Sequence, residues 1–343
     1  MKSFRLALPV LIILGLSVSC NNEIDLYPDD APKILYVLGC LDGTGTVQQV
    51  KVRKMISGDS EATDIANDPD YYLPDNPLRV CLEDPSGRQI DLHPVCYPPQ
   101  NGGPFHQDSN LIYELRGFVP SSGKIYTLKI EDSTKGETIS SQIHAMGGVG
   151  FTYPDKRFVN QVLYDFTDTS NLFRIKYTLS PINLWTVTLK YVDFLKSGEK
   201  ICRKATFSSA LQKGNVNTEP ERIFTLEYVF NIFNRLIKDS SDVDYRMFYR
   251  FDFAIWGGDG VLSYYLLEAS NYTDNRKINA SNIEGGKGLF FAVSHDHLID
   301  LQPTGPFYDS LSLNDAVRHL KFYHLPYGGV YTDPDTTQVN PFF

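Results

Sequence analysis

Between Ile34 and His144 the chain breaks into short runs in which apolar and polar side chains alternate, separated by Gly, Pro, Asn and Asp. A period of two marks a strand with one buried face, because successive side chains leave a pleated backbone on opposite sides. Seven such runs are legible: Ile34–Leu41, Val47–Lys54, Leu78–Glu83, Gln89–His93, Leu111–Phe118, Ile125–Glu131 and Thr138–His144. In the sixth, Tyr126, Leu128 and Ile130 share a face while Thr127 and Lys129 point the other way. Asp84-Pro-Ser-Gly87 and the stretch Thr134-Lys-Gly136 carry the turn chemistry that closes hairpins. Ser57–Pro77 and Pro94–Asn110 read as long exposed loops, the first rich in Asp, Asn, Pro and Tyr.

Seven strands in so short a span predict a mainly β chain with an N-terminal immunoglobulin-like or transthyretin-like β-sandwich over residues 33–146. After Gly147-Gly148 the texture changes, and residues 147–343 read as a second β-rich domain with an inserted helix. Its strand candidates are Gln161–Phe166, Leu172–Leu179, Trp185–Phe194, Lys200–Phe207 and Asp244–Ile255. Over Glu221–Lys238 the spacing of Ile223, Leu226, Phe230, Phe233 and Ile237 predicts the helix, with Thr218 as its cap and Glu221 three residues on. Val261–Ala269 and Leu313–Phe322 are shorter helix candidates. The 21 Tyr and 21 Phe suit strands. Tyr245, Phe248, Tyr249, Phe251, Phe253 and Trp256 crowd one strand on both faces, as core between layers does.

Ahead of the folded body lies an export segment, residues 1–19. Lys2 and Arg5 open it, Leu6–Leu16 is apolar, and Ser17, Val18 and Ser19 precede Cys20. The apolar run is shorter than the ~20 residues a mature membrane helix needs. A small residue directly before a cysteine predicts a lipoprotein signal, cut before Cys20, with lipid on that side chain as the membrane anchor. Leu16 is one place from where the motif's leucine usually falls, and an ordinary cleaved signal with an incidental cysteine is the lesser alternative. Residues 20–32, with Glu23, Asp25, Asp29, Asp30, Pro28 and Pro32, read as an acidic tether. Losing Lys2 and Arg5 takes the formal net charge from −9 to −11. An acidic body with no basic stripe excludes nucleic acid as the expected partner. Cys40, Cys81, Cys96 and Cys202 could pair in three ways in an oxidising compartment.

Several landmarks resemble a known family. They are the lipobox and acidic tether, the opening strand Ile34-Leu-Tyr-Val-Leu-Gly39, the closing strand Gly123-Lys-Ile-Tyr-Thr-Leu-Lys-Ile130, and Ser281-Asn-Ile-Glu-Gly-Gly-Lys-Gly-Leu-Phe290. Together they are similar to the lipoproteins grouped as domain-of-unknown-function family 4249. The resemblance spans nearly the whole mature chain. It implies outer-membrane placement, facing outward, beside a TonB-dependent transporter, with a periplasm-facing position as the alternative; it brings no activity. On physical grounds, Gly285, Gly286 and Gly288 shape a turn or bulge entering a strand at Leu289–Val293. A phosphate-cradling loop would need a helix to follow Lys287.

No GxSxG elbow, HExxH, Walker loop or CxxC occurs in the chain, so an enzyme is not the leading expectation. Ser294-His-Asp-His-Leu-Ile-Asp300 is the strongest metal-like cluster. If a strand continues through it, His295 and His297 share a face, with Asp300 or a distant carboxylate as third ligand. The bland reading is a polar loop after Val293. Two acidic groups, Asp64, Asp68 and Asp70, and Asp239, Asp242 and Asp244, are candidate Ca2+ ligands or simply solvated acids. Tyr71, Tyr72, Tyr97 and Phe105, with Tyr153, are loop aromatics that could stack on a glycan or anchor a peptide, or could pin long loops to the body. The expectation is thus a surface-exposed accessory binding lipoprotein for nutrient capture. A structural or adhesive surface subunit, and a hydrolase with an unrecognised site, are the alternatives.

Overall fold

The computed structural model describes residues 34–54, 78–97, 110–133, 136–159, 162–170, 172–214, 220–271 and 281–334. Cys20, the tether, Tyr71, Tyr72, Phe105 and the acids Asp64, Asp68 and Asp70 lie outside them. The chain is mainly β, as its alternation predicts. The first seven strands are β1 (Leu35–Asp42), β2 (Val47–Lys54), β3 (Arg79–Glu83), β4 (Gln89–Tyr97), β5 (Asn110–Arg116), β6 (Ile125–Asp132) and β7 (Glu137–His144). They form two layers. Val37, Leu41, Val50 and Val52 on one layer meet Val80, Leu82, Leu128 and Ile130 on the other. Pro94 lies within β4, not at the head of a loop. Gln89–Leu92 pairs with β3, and His93–Tyr97 pairs with β5. The proline therefore sits where the strand passes from one layer to the other, a place that tolerates a missing N–H.

The second half contributes β8 (Phe151–Tyr153), β9 (Leu163–Tyr164), β10 (Phe173–Tyr177), β11 (Ile182–Leu195), β12 (Lys200–Ser208), β13 (Gln212–Lys213) and β14 (Glu221–Phe224). Helix α1 (Leu226–Leu236), β15 (Val243–Gly258), helix α2 (Gly260–Asn271), β16 (Lys287–Pro303) and helix α3 (Gly305–Leu313) complete it. The inserted helix is shorter than the sequence pattern predicts. Glu221–Phe224 pairs with β10 instead, exposing Ile223 and burying Phe224 as a strand does. Thr225, whose side chain accepts the Tyr228 N–H, then caps the helix; Thr218 falls outside the described residues. Leu313–Phe322 is likewise not helical as a whole: α3 ends at Leu313, and only Arg318–Leu320 makes a 3-10 turn.

The strand expected at Leu289–Val293 forms, but its pairing has no counterpart in local reading. Lys287–Val293 of β16 runs parallel to β1, from Tyr36↔Lys287 to Asp42↔Val293, and places Phe290 and Ala292 in the first core. Farther along, β16 pairs with β15. The hydrogen-bonded order is β12-β11-β15-β16-β1-β2-β5-β4-β3-β6-β7. Residues far beyond 147 thus supply a strand to the first core, and β16 serves both cores. Helix α2 covers the outer face of this junction, bringing Leu262 against Cys40, Leu289 and Phe291.

Aromatic rings dominate the second core. Phe248, Phe251 and Phe253 of β15 face Phe224, Phe233 and Phe307. A bulge between Lys190↔Arg250 and Tyr191↔Phe248 lets Phe248 and Phe251 point the same way although they stand an odd three positions apart. Among the described residues no disulfide joins Cys40, Cys81, Cys96 and Cys202.

Candidate functional site

Strand β16 continues to Pro303, so Ser294–Asp300 is strand and the loop reading is set aside. His295 lies opposite Trp256 and His297 opposite Ala254. The His295 ring stacks on the Trp256 indole with centroids 4.4 Å apart, and His297 meets it edge-on at 4.9 Å. The cluster occupies the sheet face opposite the aromatic core, beside Leu184 and Ala254.

The turn after β1 orients His295. Gly43 N–H donates to the Val293 carbonyl at 2.8 Å, which brings Thr44 against β16. The Thr44 hydroxyl donates to Asp42 Oδ1 at 3.0 Å, and its oxygen accepts the His295 backbone N–H at 2.9 Å. His295 Nδ1 lies 2.9 Å from the same oxygen and 3.3 Å from Asp42 Oδ2. With the hydroxyl proton directed at Asp42, the Thr44 oxygen accepts from the His295 backbone N–H and from Nδ1–H, so Nδ1 is the protonated nitrogen facing this turn. Burial pushes the Asp42 carboxyl up, but its bonds and charge interaction with His295 and the Thr44 and Gly45 N–H groups outweigh that and hold it below its ordinary range.

His297 stays neutral at physiological pH, because burial, and then the neighbouring His295 ring, hold it down at about 4. Its Nε2 is buried with no hydrogen-bond partner among the described residues. Between the two histidines, Asp296 is tied up by the Phe151 N–H at 2.8 Å, the His297 N–H at 2.8 Å and the Lys156 ammonium.

Asp300 does not join the histidines. The β15–β16 register shifts between Phe251 and Phe253, and Asp300 has φ 60°. Its carboxylate reaches Lys190 Nζ at 2.9 Å, its N–H donates to Asp252 Oδ1 at 2.8 Å, and Asp252 holds the same ammonium at 2.7 Å. Burial raises the Asp252 carboxyl above its ordinary range. The three-ligand set His295, His297 and Asp300 is thus not assembled, and among the described residues no three His, Cys, Asp or Glu side chains converge on a metal position.

Tyr97 is half-buried at the end of β4. Its hydroxyl donates to Glu114 at 2.5 Å and accepts from Arg116 at 3.1 Å, pinning the end of β4 to β5. Gln49 adds a third bond to Glu114 at 2.8 Å. Tyr153 is about half exposed on β8 (48 %). Of the second acidic group, Asp239 faces Lys321 at 3.5 Å and the Asp242 carbonyl accepts the Lys196 N–H.

Sequence reasoning passed over an open groove of about 710 Å³ on the first sandwich, lined by Leu78, Arg79, Asp91, His93, Glu131 and Glu137 among others. Arg79 bridges Asp91 at 2.9 Å and Glu131 at 3.1 Å across it. Asp42, Thr44 and Trp256 were also missed as site residues. Their only sequence signal was the polar ending of the first strand and an aromatic at the end of a long apolar one.

No family model matches the chain, and no curated protein matches it either. Among solved structures it is similar to the C-terminal globular domain of an oligosaccharyltransferase from Pyrococcus abyssi, at 10 % identity and a TM-score of 0.19. That match covers 79 % of this chain and 50 % of the other, so the chain spans about half the length of the protein it matches. A likeness at this level carries no argument about fold or function.

Proposed function

We propose that the chain is an outer-membrane lipoprotein, exposed at the cell surface, that acts as an accessory binding protein for nutrient capture beside a TonB-dependent transporter. The observation that carries the reading is the apolar run Leu6–Leu16 ending in Ser19-Cys20, followed by an acidic, proline-containing stretch. Two acyl chains on one cysteine hold a protein at a membrane where a single chain would not.

Leu35 is fifteen positions after Cys20, a reach of at most ~50 Å. The tether joins the first sandwich at the end where β1 begins. Gly286 packs there against Leu35 and Ile139, and the β6–β7 turn beside it forms one wall of the Arg79 groove. A transporter in the same membrane would meet this end, where charged groups line an open surface. A glycan or peptide fits such a groove better than an apolar ligand, because Arg79, Asp91 and Glu131 offer hydrogen bonds in both directions.

Cell fractionation and surface proteolysis test the reading together. The wild-type chain should sediment with outer membranes and be cut by protease added to intact cells, and Cys20→Ala should move it to the soluble fraction. Affinity purification of the wild type should recover an outer-membrane transporter. A wild-type chain that stays soluble, or is protected in intact cells, would sink the placement.

A further inference from the structure

We propose that His295 and His297 together bind a divalent transition-metal ion, using His295 Nε2 and one ring nitrogen of His297 as its two protein ligands. Strand geometry alone sets two such residues side by side on one face, and the rings are 4.9 Å apart at 71°. With metal–nitrogen bonds of about 2 Å, two imidazoles on one ion have centroids about 5 Å apart, so the rings need not move far. The Asp42–Thr44–His295 chain has the form of the support found behind metal-bound histidines: it holds Nδ1 toward Thr44 and Asp42 and so turns Nε2 away from them. His297 Nε2 is buried without a hydrogen-bond partner among the described residues, and such atoms are rare in folded proteins unless water or an ion completes them.

Charge agrees with a cation. Asp42 lies 3.3 Å from His295 Nδ1, while the charge of Asp296 is balanced by Lys156. Two protein ligands leave further positions for solvent or for a donor atom carried by another molecule, so this is an open site. Imidazole suits copper(II), nickel(II) and zinc, and among divalent ions copper(II) binds such nitrogen sets most tightly. The inference rests on the geometry of β1, β15 and β16 and is independent of how the chain is anchored.

Titrating copper(II) into the full-length chain in detergent tests it. The Trp256 indole stacks on His295, so bound copper should quench tryptophan fluorescence saturably. Frozen samples at one ion per chain should show a paramagnetic spectrum with splitting from imidazole nitrogens. His295→Asn combined with His297→Asn should weaken binding by at least about tenfold, and Thr44→Val, which removes only the orienting oxygen, by about tenfold. Unchanged affinity in the double variant would overturn the proposal. So would non-saturable quenching, or a wild-type spectrum without nitrogen splitting, a result that needs no variant to fold.

Discussion

Gly288 shows how one residue can fix a strand. It has φ 115°, and a Cβ there would lie 1.9 Å from the Val37 carbonyl oxygen of the parallel neighbour β1. Neither the conformation nor the space admits a side chain. Gly288→Ala should lower unfolding free energy by about 2 kcal/mol or more, read by urea denaturation, with Gly87→Ala as a milder comparison because open space surrounds that turn glycine. Glu114 is a different kind of constraint. Burial raises its carboxyl, but the bonds from Tyr97, Gln49 and Arg116 outweigh burial and leave it below its ordinary value. A folded-state pKa below the unfolded one adds stability that is fully present above the ordinary carboxylate range and is lost as pH falls through the folded value. Glu114→Gln should therefore cost about 2 kcal/mol near neutral pH, with the gap to wild type closing below about pH 4. Parallel denaturation curves at several pH values would show it. A gap that stays constant with pH would mean that Glu114 acts by packing and not by charge.

At the level of elements, Lys190 joins three strands. Its ammonium, 8 % exposed, reaches Asp252 on β15 and Asp300 on β16 from its own place on β11. Removing this cation leaves two carboxylates facing each other, one 22 % and the other 40 % exposed, so the loss falls at the low end of the roughly 3–5 kcal/mol typical of a buried pair broken from one side. Lys190→Met should therefore destabilise by about 3 kcal/mol, and adding Asp252→Asn should recover part of that loss. A double-mutant cycle from chemical denaturation measures the coupling. Elements differ in how legible they were. Val47–Lys54 was readable because Val50 and Val52 turn inward between half-buried polar neighbours, and Tyr126, Leu128 and Ile130 were readable for the same reason. The residues over Glu221–Phe224 were not, because a short strand running into an amphipathic helix mimics a longer helix: Ile223 happens to continue the spacing of Leu226 and Phe230. The histidine pair was legible as a pattern on one strand. Its supporting groups were not, since Asp42 and Thr44 meet it only through a parallel pairing between opposite ends of the chain. Asp300 was misplaced because the groups that hold it, Lys190 on β11 and Asp252 on β15, come from strands far away in sequence.

Across the whole molecule the decisive feature is that β16 belongs to both cores. A parallel strand pair cannot be closed by a tight turn, so the first sandwich has to wait for residues made near the end of synthesis before β1 gains its second neighbour. The size of the effect can be judged. Loss of a buried phenylalanine typically costs 3–5 kcal/mol, and without β16 the first core loses Phe290 and Ala292 and uncovers one edge of β1. A whole domain of this kind is stable by only about 5–15 kcal/mol. A fragment of residues 34–146 should therefore show no cooperative thermal transition by near-ultraviolet circular dichroism. Adding a separate peptide of residues 281–303 should restore one, because it returns both the strand and the Asn282 side chain, which accepts the Phe290 N–H at 2.9 Å and donates to the Phe290 carbonyl at 2.6 Å. The intact chain should melt in a single transition reported alike by Trp185, in the second core, and by the tyrosines of the first. If instead the isolated fragment melts cooperatively at the temperature of the intact chain, the strand shared between the two cores contributes little to holding either one together.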